Sequence, residues 1–505
     1  MQSNNCILAI DAGTGDCRVM AYSLSGRVLA EAHTEWFYRQ DADNGYYSFD
    51  PEKCISGILD MIRDVAEKLC GSRILALTVT SQRDGMAFLD RNDREIYCAP
   101  NMDLRGREVL DVLRPHSQEI LQATGLPLHA MFGLPRLVWF REKQPDVYAQ
   151  IRCVMMLSDW IAFRLTGVKR SEAASASTSQ MLNLRSCRYD SALMRLLGLK
   201  DDIFPQTCSG SEIIGTVKEE LARYAGLGQQ TPVLIAGSDA HCAAVGMGCF
   251  QPGDFAVIAG STTPVLAVLD RAMTDPEGCL YASPASLPGQ WTLEGNADST
   301  GLSYRWLRNL LYANPATGRV MDHAYEQMES DAAEVPAGAG GMSAYVGIGI
   351  RNVEKGMNFG GFFAPIPWNI DEYKKGHFVR ALLESNAYAA AANIELIASC
   401  AGRKPAALHV CGGQSASDIW CRTLASAAGL PVCLSESFEA TTLGAVLMAA
   451  VGCGCWADPA AAAEKMVRVR RVVEPEPDAG LAARYAEWKK RYVYLLRYDE
   501  HRESN

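Results

Sequence analysis

Aspartates that directly follow short apolar runs are the residues of this sequence whose type and position best suit chemistry. Asp11 follows the apolar run 6–10, and Asp239 lies just beyond the run 232–236. A carboxylate at the end of a buried strand can accept a proton from a substrate hydroxyl or hold a hydrated Mg²⁺. We predict that Asp239 is a catalytic and substrate-binding residue, and that Asp11 and Asp239 lie beside a metal ion. The alternative for Asp239 is an ordinary helix N-cap.

Two glycine-rich turns, each between two apolar runs, could bind phosphate groups. They occupy residues 11–16 and 260–263, about half a chain apart. Glycine lets backbone N–H groups approach an anion closely, hydroxyl side chains add donors, and an arginine can balance the charge. One such turn alone is more often an ordinary hairpin, but the repetition favours a duplicated domain whose two turns bind one polyphosphate. The predicted contacts are Gly13, Thr14, Arg18, Gly260, Ser261 and Thr262.

A third glycine turn lies between a predicted strand at 407–410 and a predicted helix. Its small residues would let a flat base or a ribose lie against bare backbone, close to the helix N-terminus. Glycine at a strand-to-helix turn is also common for steric reasons alone. We expect the nucleotide contacts here to be Gly412, Gly413, Gln414 and Ser417.

Neighbouring opposite charges form the candidate substrate site. Arg83 and Asp84 follow the predicted strand 74–80, and Asp103 and Arg105 lie a short distance further along the chain. Arginine donates hydrogen bonds to hydroxyl groups and aspartate accepts them, so these residues suit a polyol. We predict that Arg83, Asp84 and Asp103 contact the substrate. The alternative is a set of surface ion pairs, which would contribute little to stability.

Alternating helix and strand patterns must position these residues. Apolar residues at helical spacing behind a proline predict a helix over 51–70, an alanine-rich run predicts another over 379–400, and residues 481–498 also have a helical pattern. Helices beside mostly buried strands indicate a layered α/β fold. With 505 residues, the chain is long enough for at least two domains, which we place at 1–246 and 247–505.

Composition and charge disfavour several classes of function. The 48 Lys and Arg against 58 Asp and Glu give a formal charge of −10, which argues against a nucleic-acid or anionic membrane surface. The 17 cysteines are odd in number and scattered, which argues against a disulfide or zinc framework. The sequence shows no leader pattern and no apolar run of membrane length. We therefore expect a cytoplasmic protein with no nucleic-acid or membrane partner.

The order of these motifs resembles the FGGY family of carbohydrate kinases, which has the actin-like, or ribonuclease H-like, ATPase fold. Residues 11–18 resemble its first phosphate motif, 260–262 its second, and 412–414 with Trp420 its adenosine motif. Residues 439–445 resemble its late helix motif, 377–384 its second signature and 135–139 its first, with Arg136 where lysine is usual. The resemblance implies two such domains with a nucleotide cleft between them, ATP and Mg²⁺ as cofactors, a sugar substrate, and Asp239 as the catalytic base. Family members often dimerise, so a homodimer is possible.

The substrate depends on the branch of the family that the chain resembles. Xylulokinases usually have Met-His-Gly where this chain has residues 83–85, and the Arg83–Asp84 pair is more similar to glycerol kinases. Residues 35–36, 83–85, 101–103 and 158–160 together resemble the autoinducer-2 kinase branch, whose substrate is a five-carbon dihydroxy ketone. We expect ATP-dependent phosphorylation of a terminal hydroxyl on a small ketose, a pentulose such as xylulose. The alternatives are an autoinducer-2 kinase and a non-catalytic actin-like ATP-binding regulator.

Overall fold

Buried apolar runs form the central strands of two units, each built around its own sheet. The computed structural model describes residues 5–36, 38–350, 359–365, 370–478 and 480–503. The first unit comprises Met1–Pro252, Val268–Thr292 and Glu439–Val467, and the second comprises Gly253–Ala267, Leu293–Phe438 and Arg468–Asn505. In the described ranges, no helix has both the length and the apolar character needed to cross a membrane.

The long first segment alternates strands and helices, as the sequence pattern predicted. Its strands are β1 Asn5–Ala12, β2 Asp16–Ser23, β3 Val28–Glu35, β4 Tyr38–Gln40, β5 Tyr47–Phe49, β6 Arg73–Ser81, β7 Met86–Leu89, β8 Glu95–Ala99, β9 Cys153–Met156, β10 Arg170–Glu172, β11 Leu182–Asn183, β12 Arg188–Tyr189, β13 Gln206–Cys208, β14 Ile213–Thr216 and β15 Pro232–Ser238. Its helices are α1 Pro51–Lys68, α2 Leu110–Leu113, α3 Ser117–Thr124, α4 Gly133–Lys143, α5 Pro145–Gln150, α6 Leu157–Thr166, α7 Ala173–Ser177, α8 Ser191–Leu196, α9 Glu219–Tyr224 and α10 Asp239–Gly246.

The rest of the chain repeats this mixture of elements. Its strands are β16 Phe255–Ile258, β17 Pro264–Leu269, β18 Tyr281–Pro284, β19 Trp291–Asn296, β20 Ser343–Tyr345, β21 Gly361–Phe363, β22 Leu408–Cys411, β23 Val432–Ser435 and β24 Val469–Val473. Its helices are α11 Thr300–Leu311, α12 Ala324–Ala333, α13 Lys375–Ala401, α14 Asp418–Ala428, α15 Ala440–Gly452, α16 Pro459–Met466 and α17 Leu481–Glu503. The predicted α/β class is therefore confirmed.

The sheet of the first unit has the strand order β14-β15-β6-β1-β2-β3. The strands β1, β2 and β3 form antiparallel hairpins, β6 and β15 run parallel to β1, and β14 is antiparallel to β15. In register, Ala12 and Ser238 both pair with Ser81. The three parallel strands thus end at one edge of the sheet, which is where open α/β sheets usually place their ligands.

Both faces of this sheet are covered, which explains why β1 is apolar at every position from 6 to 10. Leu8 and Ile10 pack in the same core cluster as Ile58 and Ile62 of α1, whereas Ile7 and its neighbour Ala9 belong to the cluster that contains the apolar residues of α15. A strand that is buried on both faces reads as a continuous apolar run instead of an alternating one.

The sheet of the second unit repeats the first one. The sheet has seven strands in the order β18-β19-β17-β16-β22-β23-β24, and the six from β19 to β24 correspond to the first sheet. The strand β17 is antiparallel to β16, β22 is parallel to β16, β23 is parallel to β22, and β24 is antiparallel to β23. Ile258 at the end of β16 pairs with Cys411 at the end of β22. This repetition supports the duplicated domain inferred from the two glycine turns.

The helix α15 belongs to the first unit although it lies late in the chain. It packs against α10, where an added Cβ at Gly246 would lie 1.9 Å from the carbonyl oxygen of Ala440, and one at Gly444 would lie 1.8 Å from that of Cys242. Only glycine permits such a close approach of two helices. The domain boundary predicted between residues 246 and 247 stays a prediction. In the folded chain α15 contacts a helix about 200 residues earlier, so the first unit also contains segments from late in the chain.

Candidate active site

Asp239 is the first residue of α10 and directly follows β15, so its carboxylate lies at the edge where the parallel strands end. Its Oδ1 accepts a hydrogen bond from the backbone N–H of Ala240 at 2.7 Å and lies 4.0 Å from Nε of Arg83. Although 41% of the side chain is exposed, partial burial raises the pKa of Asp239 above the ordinary value, and the charge of Arg83 opposes this. A carboxylate with such a pKa is suited to accept a proton from a hydroxyl group.

Asp11 is the second-to-last residue of β1, and among the described residues its Oδ1 is buried without a hydrogen-bond partner. Burial, and after it the negative charge of Asp239, raise the pKa of Asp11 to about 7, while Arg18 opposes the shift. A cation beside the two carboxylates would relieve this repulsion. In the described ranges, no group of three or more His, Cys, Asp or Glu side chains could hold a metal ion. Mg²⁺ usually keeps several of its waters and needs only one or two carboxylates, and its binding beside Asp11 and Asp239 stays a prediction.

Arg18, a predicted phosphate contact, is bound by two carboxylates within the first unit. Its Nε lies 2.7 Å from Oδ2 of Asp16, and its Nη1 lies 2.7 Å from Oε2 of Glu439, the residue before α15. The guanidinium is partly exposed, at 37% of its side-chain area. Because its charge is already balanced by two neighbours, direct binding of phosphate by Arg18 stays a prediction.

The first glycine turn is held in place by two amide side chains. Nε2 of Gln82 donates to the backbone oxygen of Gly13 at 3.2 Å, and Nδ2 of Asn101 donates to Oγ1 of Thr14 at 3.1 Å. Oε1 of Gln82 in turn accepts from the backbone N–H of Asn101 at 3.2 Å. Gln82 and Asn101 were not among the predicted site residues. Gln82 directly precedes the predicted Arg83, and Asn101 lies two residues before the predicted Asp103.

Three buried acceptor oxygens near this turn have no hydrogen-bond donor among the described residues. They are Oδ1 of Asp84, Oδ1 of Asn101 and Oδ1 of Asp103. The other oxygen of Asp103 accepts from Tyr97 Oη and from Arg105 Nε, both at 2.7 Å. Buried polar atoms are almost always paired in folded proteins. Unpaired acceptors on three neighbouring residues therefore indicate a site for a ligand that brings hydroxyl donors.

Arg136 holds together the segments that carry these acceptors. The guanidinium is completely buried; its Nη1 donates to the backbone oxygen of Asp84 at 2.6 Å, and its Nη2 donates to those of Met131 at 2.6 Å and Asn101 at 3.4 Å. Burial raises the pKa of Asp84 to about 7, although the charges of Arg83 and Arg136 act in the opposite direction. The backbone of Asp84 also has a φ of 63°, a value that is uncommon for a residue with a side chain and that occurs often at functional sites.

Asp103 and Arg105 form a buried pair instead of a surface one. Asp103 is fully buried, and the Arg105 guanidinium lies 4.7 Å from the ring centres of Tyr46 and Tyr97 and 4.8 Å from that of Trp139. These aromatic faces fix the cation. The pair thereby presents only Oδ1 of Asp103 as a free acceptor among the described residues.

His241 fixes the junction that carries Asp239. Its Nδ1 lies 2.6 Å from Oγ of Ser238, and its Nε2 lies 2.9 Å from Oγ of Ser283 and 3.0 Å from Oγ1 of Thr292. Burial lowers the pKa of His241 to about 3, so the ring is neutral at physiological pH. His241 is therefore a neutral hydrogen-bond partner within a buried network.

The second unit contains a cavity of about 810 Å³ beside its glycine turns. Of the predicted nucleotide contacts, those that line this cavity are Gly260, Ser261, Gly413, Gln414 and Ser417, whereas Thr262 and Gly412 are not among its lining residues. The volume is typical of a site for a molecule of nucleotide size. The structure thus brings the second and third glycine turns together around one space.

Glycines and one glutamine shape this cavity. Gly412 has a φ of 94°, and an added Cβ would lie 2.5 Å from the backbone oxygen of Ala259, so Gly412 permits the ends of β16 and β22 to approach. An added Cβ at Gly301 would lie 2.0 Å from the backbone oxygen of Gly260. Nε2 of Gln414 donates to Thr300 Oγ1 at 3.0 Å, which ties the third turn to the start of α11.

Sequence reasoning missed the aromatic and charged walls of the cavity, which come from α11 and α12. Tyr304 and Tyr325 lie there with ring centres 5.3 Å apart, and Arg305 is the cation among the lining residues. Oε2 of Glu329 accepts from Ser417 Oγ at 2.8 Å, and its Oε1 accepts from the N–H of Ile419 at 3.0 Å, so this carboxylate caps α14. These residues have no local motif, and only the packing of α11 and α12 in the folded unit brings them to the site.

Comparison with families of known proteins identifies the chain. The model of the FGGY family of carbohydrate kinases matches twice, with its N-terminal domain over residues 6–246 and its C-terminal domain over 255–453. The protein belongs to the FGGY family of carbohydrate kinases, and its activity is that of a sugar kinase, a phosphotransferase with an alcohol acceptor.

Similar proteins span the whole chain. A relative named autoinducer-2 kinase from Salmonella paratyphi B is 29% identical and covers 98% of this chain and 94% of its own; one from Escherichia coli K12 is also 29% identical, with 94% and 92% covered. The fold is similar to that of xylulose kinase from Rhodospirillum rubrum, with a TM-score of 0.87 at 23% identity over 98% of this chain and all of that one. Plasmodium falciparum glycerol kinase with ADP has a TM-score of 0.85 at 18% identity over 97% and 98%.

Proposed function

We propose that this protein is an ATP-dependent kinase that phosphorylates a terminal hydroxyl of a small linear ketose, a pentulose such as xylulose. The observation that carries this proposal is the set of unpaired acceptors on Asp84, Asn101 and Asp103. A polyhydroxy chain supplies one donor for each acceptor, and a ligand that satisfies buried polar groups is favoured over an analogue that leaves them unpaired. Arg83 adds a donor for a carbonyl or hydroxyl oxygen of the sugar.

Asp239 is the group that we assign as the base. Its raised pKa leaves it able to take the proton of the attacking hydroxyl, and its place at the start of α10 next to the His241 network fixes its position. Arg83 Nε, 4.0 Å from Oδ1, stabilises the carboxylate form before transfer. Phosphoryl transfer depends mainly on positioning and electrostatic stabilisation. A well-placed carboxylate is therefore enough to orient the attacking hydroxyl and accept its proton.

The phosphate groups of ATP are assigned to the two glycine turns. Gly13 and Thr14 offer backbone N–H groups and a hydroxyl in the first unit, and Gly260 and Ser261 do so beside the cavity of the second unit, where we place the nucleoside. Mg²⁺, when bound through water beside Asp11 and Asp239, offsets the charge of the phosphates. The acidic balance of the chain is compatible with this role because neutral donors and a cation replace a basic surface.

An autoinducer-2 kinase is the second candidate, because curated relatives of that name match nearly the full chain at 29% identity. The two candidates share the chemistry and differ in the number of hydroxyl groups on the substrate. A dihydroxy ketone supplies fewer donors to the three buried acceptors than xylulose does, unless it is hydrated.

A substrate panel in a coupled ADP-release assay tests the proposal. The compounds are xylulose, ribulose, glycerol and 4,5-dihydroxy-2,3-pentanedione, each compared by kcat/KM. We expect xylulose to have the highest value, because glycerol and the unhydrated pentanedione bring fewer hydroxyl groups and leave acceptors unpaired. If the pentanedione has the highest kcat/KM, the result would support an autoinducer-2 kinase instead of a xylulose kinase. Nucleotide binding without any sugar-stimulated turnover would support a non-catalytic ATP-binding protein instead.

A further inference from the structure

A separate cavity of about 340 Å³ lies in the second unit between α13, β20 and α17. None of its lining residues lines the 810 Å³ nucleotide cavity. It is formed by one face of α17, with positions 484, 487, 488 and 491, and by one face of α13, with positions 381, 384, 385 and 388. Spacings of three and four residues place these side chains on single helix faces. We call this space the α13–α17 cavity.

Aromatic side chains form the walls of the α13–α17 cavity. The ring of Trp488 stacks on that of Tyr345, with centres 5.7 Å apart and planes inclined by 12°, and the ring of Tyr388 lies 5.8 Å from Trp488. Flat apolar walls of this kind suit a planar molecule, and the volume is at the lower end of the range for small-molecule sites.

Two donor side chains at this cavity, Arg484 and Tyr388, interact with each other. Their buried atoms Nε of Arg484 and Oη of Tyr388 have no well-aligned acceptor among the described residues, so donor capacity remains between them. Burial raises the pKa of Tyr388 to about 12, so its hydroxyl stays protonated and can donate. Leaving buried donors unpaired is costly, which favours an occupant that carries an acceptor.

The carboxylates around the cavity are already balanced. Oε1 and Oε2 of Glu384 accept from the backbone N–H of Gly338 at 3.0 and 3.2 Å, and Oε1 also accepts from Arg380 at 2.7 Å. Asp478 is paired with the terminal nitrogen of Arg484, and Glu487 lies 3.5 Å from Arg491. The groups at the cavity that can still donate a hydrogen bond are therefore Arg484 Nε and Tyr388 Oη.

We propose that the α13–α17 cavity is a binding site for a small planar molecule that carries a carboxylate. The carboxylate accepts from Arg484 Nε and Tyr388 Oη, and the planar body lies between the aromatic rings. An ionised acceptor forms stronger hydrogen bonds than a neutral one of the same shape.

The helix α13 connects this cavity to the nucleotide site. Ser385 lines the α13–α17 cavity and accepts from Trp488 Nε1 at 2.8 Å, whereas the next residue, Asn386, donates to Gln414 Oε1 at 3.2 Å and to Thr300 O at 3.0 Å. A ligand that orders this part of α13 therefore changes the affinity of the second unit for nucleotide. This coupling rests on the proposed nucleotide role of the larger cavity, whereas binding of the carboxylate does not.

Calorimetric titration of the full-length protein with 1-naphthoate tests the binding site, with the neutral 1-naphthalenemethanol as the matched probe. We expect a dissociation constant below about 1 mM for the carboxylate and at least about fivefold weaker binding of the alcohol. Equal affinity for the two probes would contradict the proposed role of the donors. Absence of binding at about 5 mM naphthoate would overturn the site itself.

Substitution of the donors locates the binding. Tyr388→Phe removes only the hydroxyl and should weaken naphthoate binding about three- to tenfold, and Arg484→Lys should weaken it at least as much. The control is Tyr485→Phe, a neighbouring phenol on α17 that does not line the cavity, which should bind as the unchanged protein does. Equal effects of Tyr388→Phe and Tyr485→Phe would place the probe elsewhere.

The coupling is measured by ADP titration with and without saturating naphthoate. We expect the dissociation constant for ADP to change at least about threefold, and this change to disappear in Tyr388→Phe. An unchanged ADP affinity would refute the coupling. These titrations need no sugar and no phosphoryl transfer, so they can be interpreted even if the proposed ketose kinase activity is not found. Failure of the titrations would likewise leave the kinase assay interpretable.

Discussion

The two units contain the same six-strand pattern but carry different chemistry where the corresponding strands end. In the first unit, Asp11 lies near the end of β1, and the Arg83–Asp84 pair follows the end of β6. Asp239 directly follows β15. In the second unit, β16 is followed by Gly260 and Ser261, and β22 by Gly412 and Gly413. The strand β23 is followed by Glu436, which is exposed. One fold thus presents acids in one copy and mostly neutral groups in the other.

This difference shows how a duplicated fold separates two tasks. Proton acceptance and cation binding need carboxylates in surroundings that raise their pKa, as found for Asp11 and Asp239. A polyanionic ligand is instead held by backbone N–H groups and hydroxyls. The fold alone determines neither task, because function resides in the side chains placed at the strand ends.

The comparison is tested most strongly by removing the acid from each copy. Asp239→Asn should lower kcat/KM for the sugar about 10³-fold, since loss of a general base costs on the order of 10²–10⁴, while the dissociation constant for ADP should stay within about twofold. The measurement is coupled ADP release together with nucleotide titration.

The matched control for this prediction is Glu436→Gln, which changes the corresponding residue after β23. Because that residue is exposed, kcat/KM should change less than about twofold. Near-normal turnover of Asp239→Asn, or equal losses in both variants, would contradict the assignment of the base.

A smaller effect is expected from a clash in the nucleotide unit. Gly301→Ala places a Cβ 2.0 Å from the backbone oxygen of Gly260 and should displace the second turn. We expect at least about tenfold weaker ADP binding and a lower melting temperature, as overpacking commonly costs about 1–3 kcal/mol. Gly413→Ala is the control for folding, because an added Cβ there meets no described atom within 4 Å. Unchanged ADP affinity in Gly301→Ala would show that this contact does not shape the site.

A still smaller effect is expected from the cation of the nucleotide cavity. Arg305→Ala should weaken ADP binding about threefold at low salt and less at high salt, because the side chain is exposed and its interactions are screened. Arg308→Ala serves as the control, because Arg308 packs on the ring of Tyr325 but does not itself line the cavity. A loss above about a hundredfold would mean that charge, and not neutral donors, dominates phosphate binding in this unit.

The smallest expected effect is a difference in pH dependence between the units. The folded-state pKa of Asp84 is raised from 3.8 to about 7, so its protonated form stabilises the fold at low pH and this contribution is lost as the pH rises toward and past 7. The melting temperature should therefore fall between pH 5 and 8, and in Asp84→Asn this fall should be smaller by about 2 °C or more.

Asp418 of the second unit is the matched control for the pH prediction. Its ion pairs with Arg422 and Arg471 lower its pKa below the ordinary value, so it is ionised in both the folded and the unfolded state above pH 5. Asp418→Asn should leave the slope between pH 5 and 8 unchanged. Equal slopes in the two variants would contradict the raised pKa of Asp84.

Much of the candidate site could be predicted because its signals are local. A carboxylate after an apolar run, as at Asp11 and Asp239, and a glycine turn between two strands are each visible within about ten residues. The walls of the nucleotide cavity could not be found this way, because Tyr304, Tyr325 and Glu329 lie on helical surfaces without a motif. Their contribution depends on how α11 and α12 pack, which is a long-range property.

The sequence by itself determined the α/β class, the duplication and the positions of the strand-end residues, because hydrophobic periodicity and glycine turns act over short distances along the chain. Only the tertiary structure decided which of these groups are free. It pairs Arg18 with Glu439, 421 residues away, and leaves Oδ1 of Asp84 and of Asp103 without donors among the described residues. Pairing, burial and the resulting pKa shifts depend on neighbours that are distant in sequence, so they emerge only when the chain has folded.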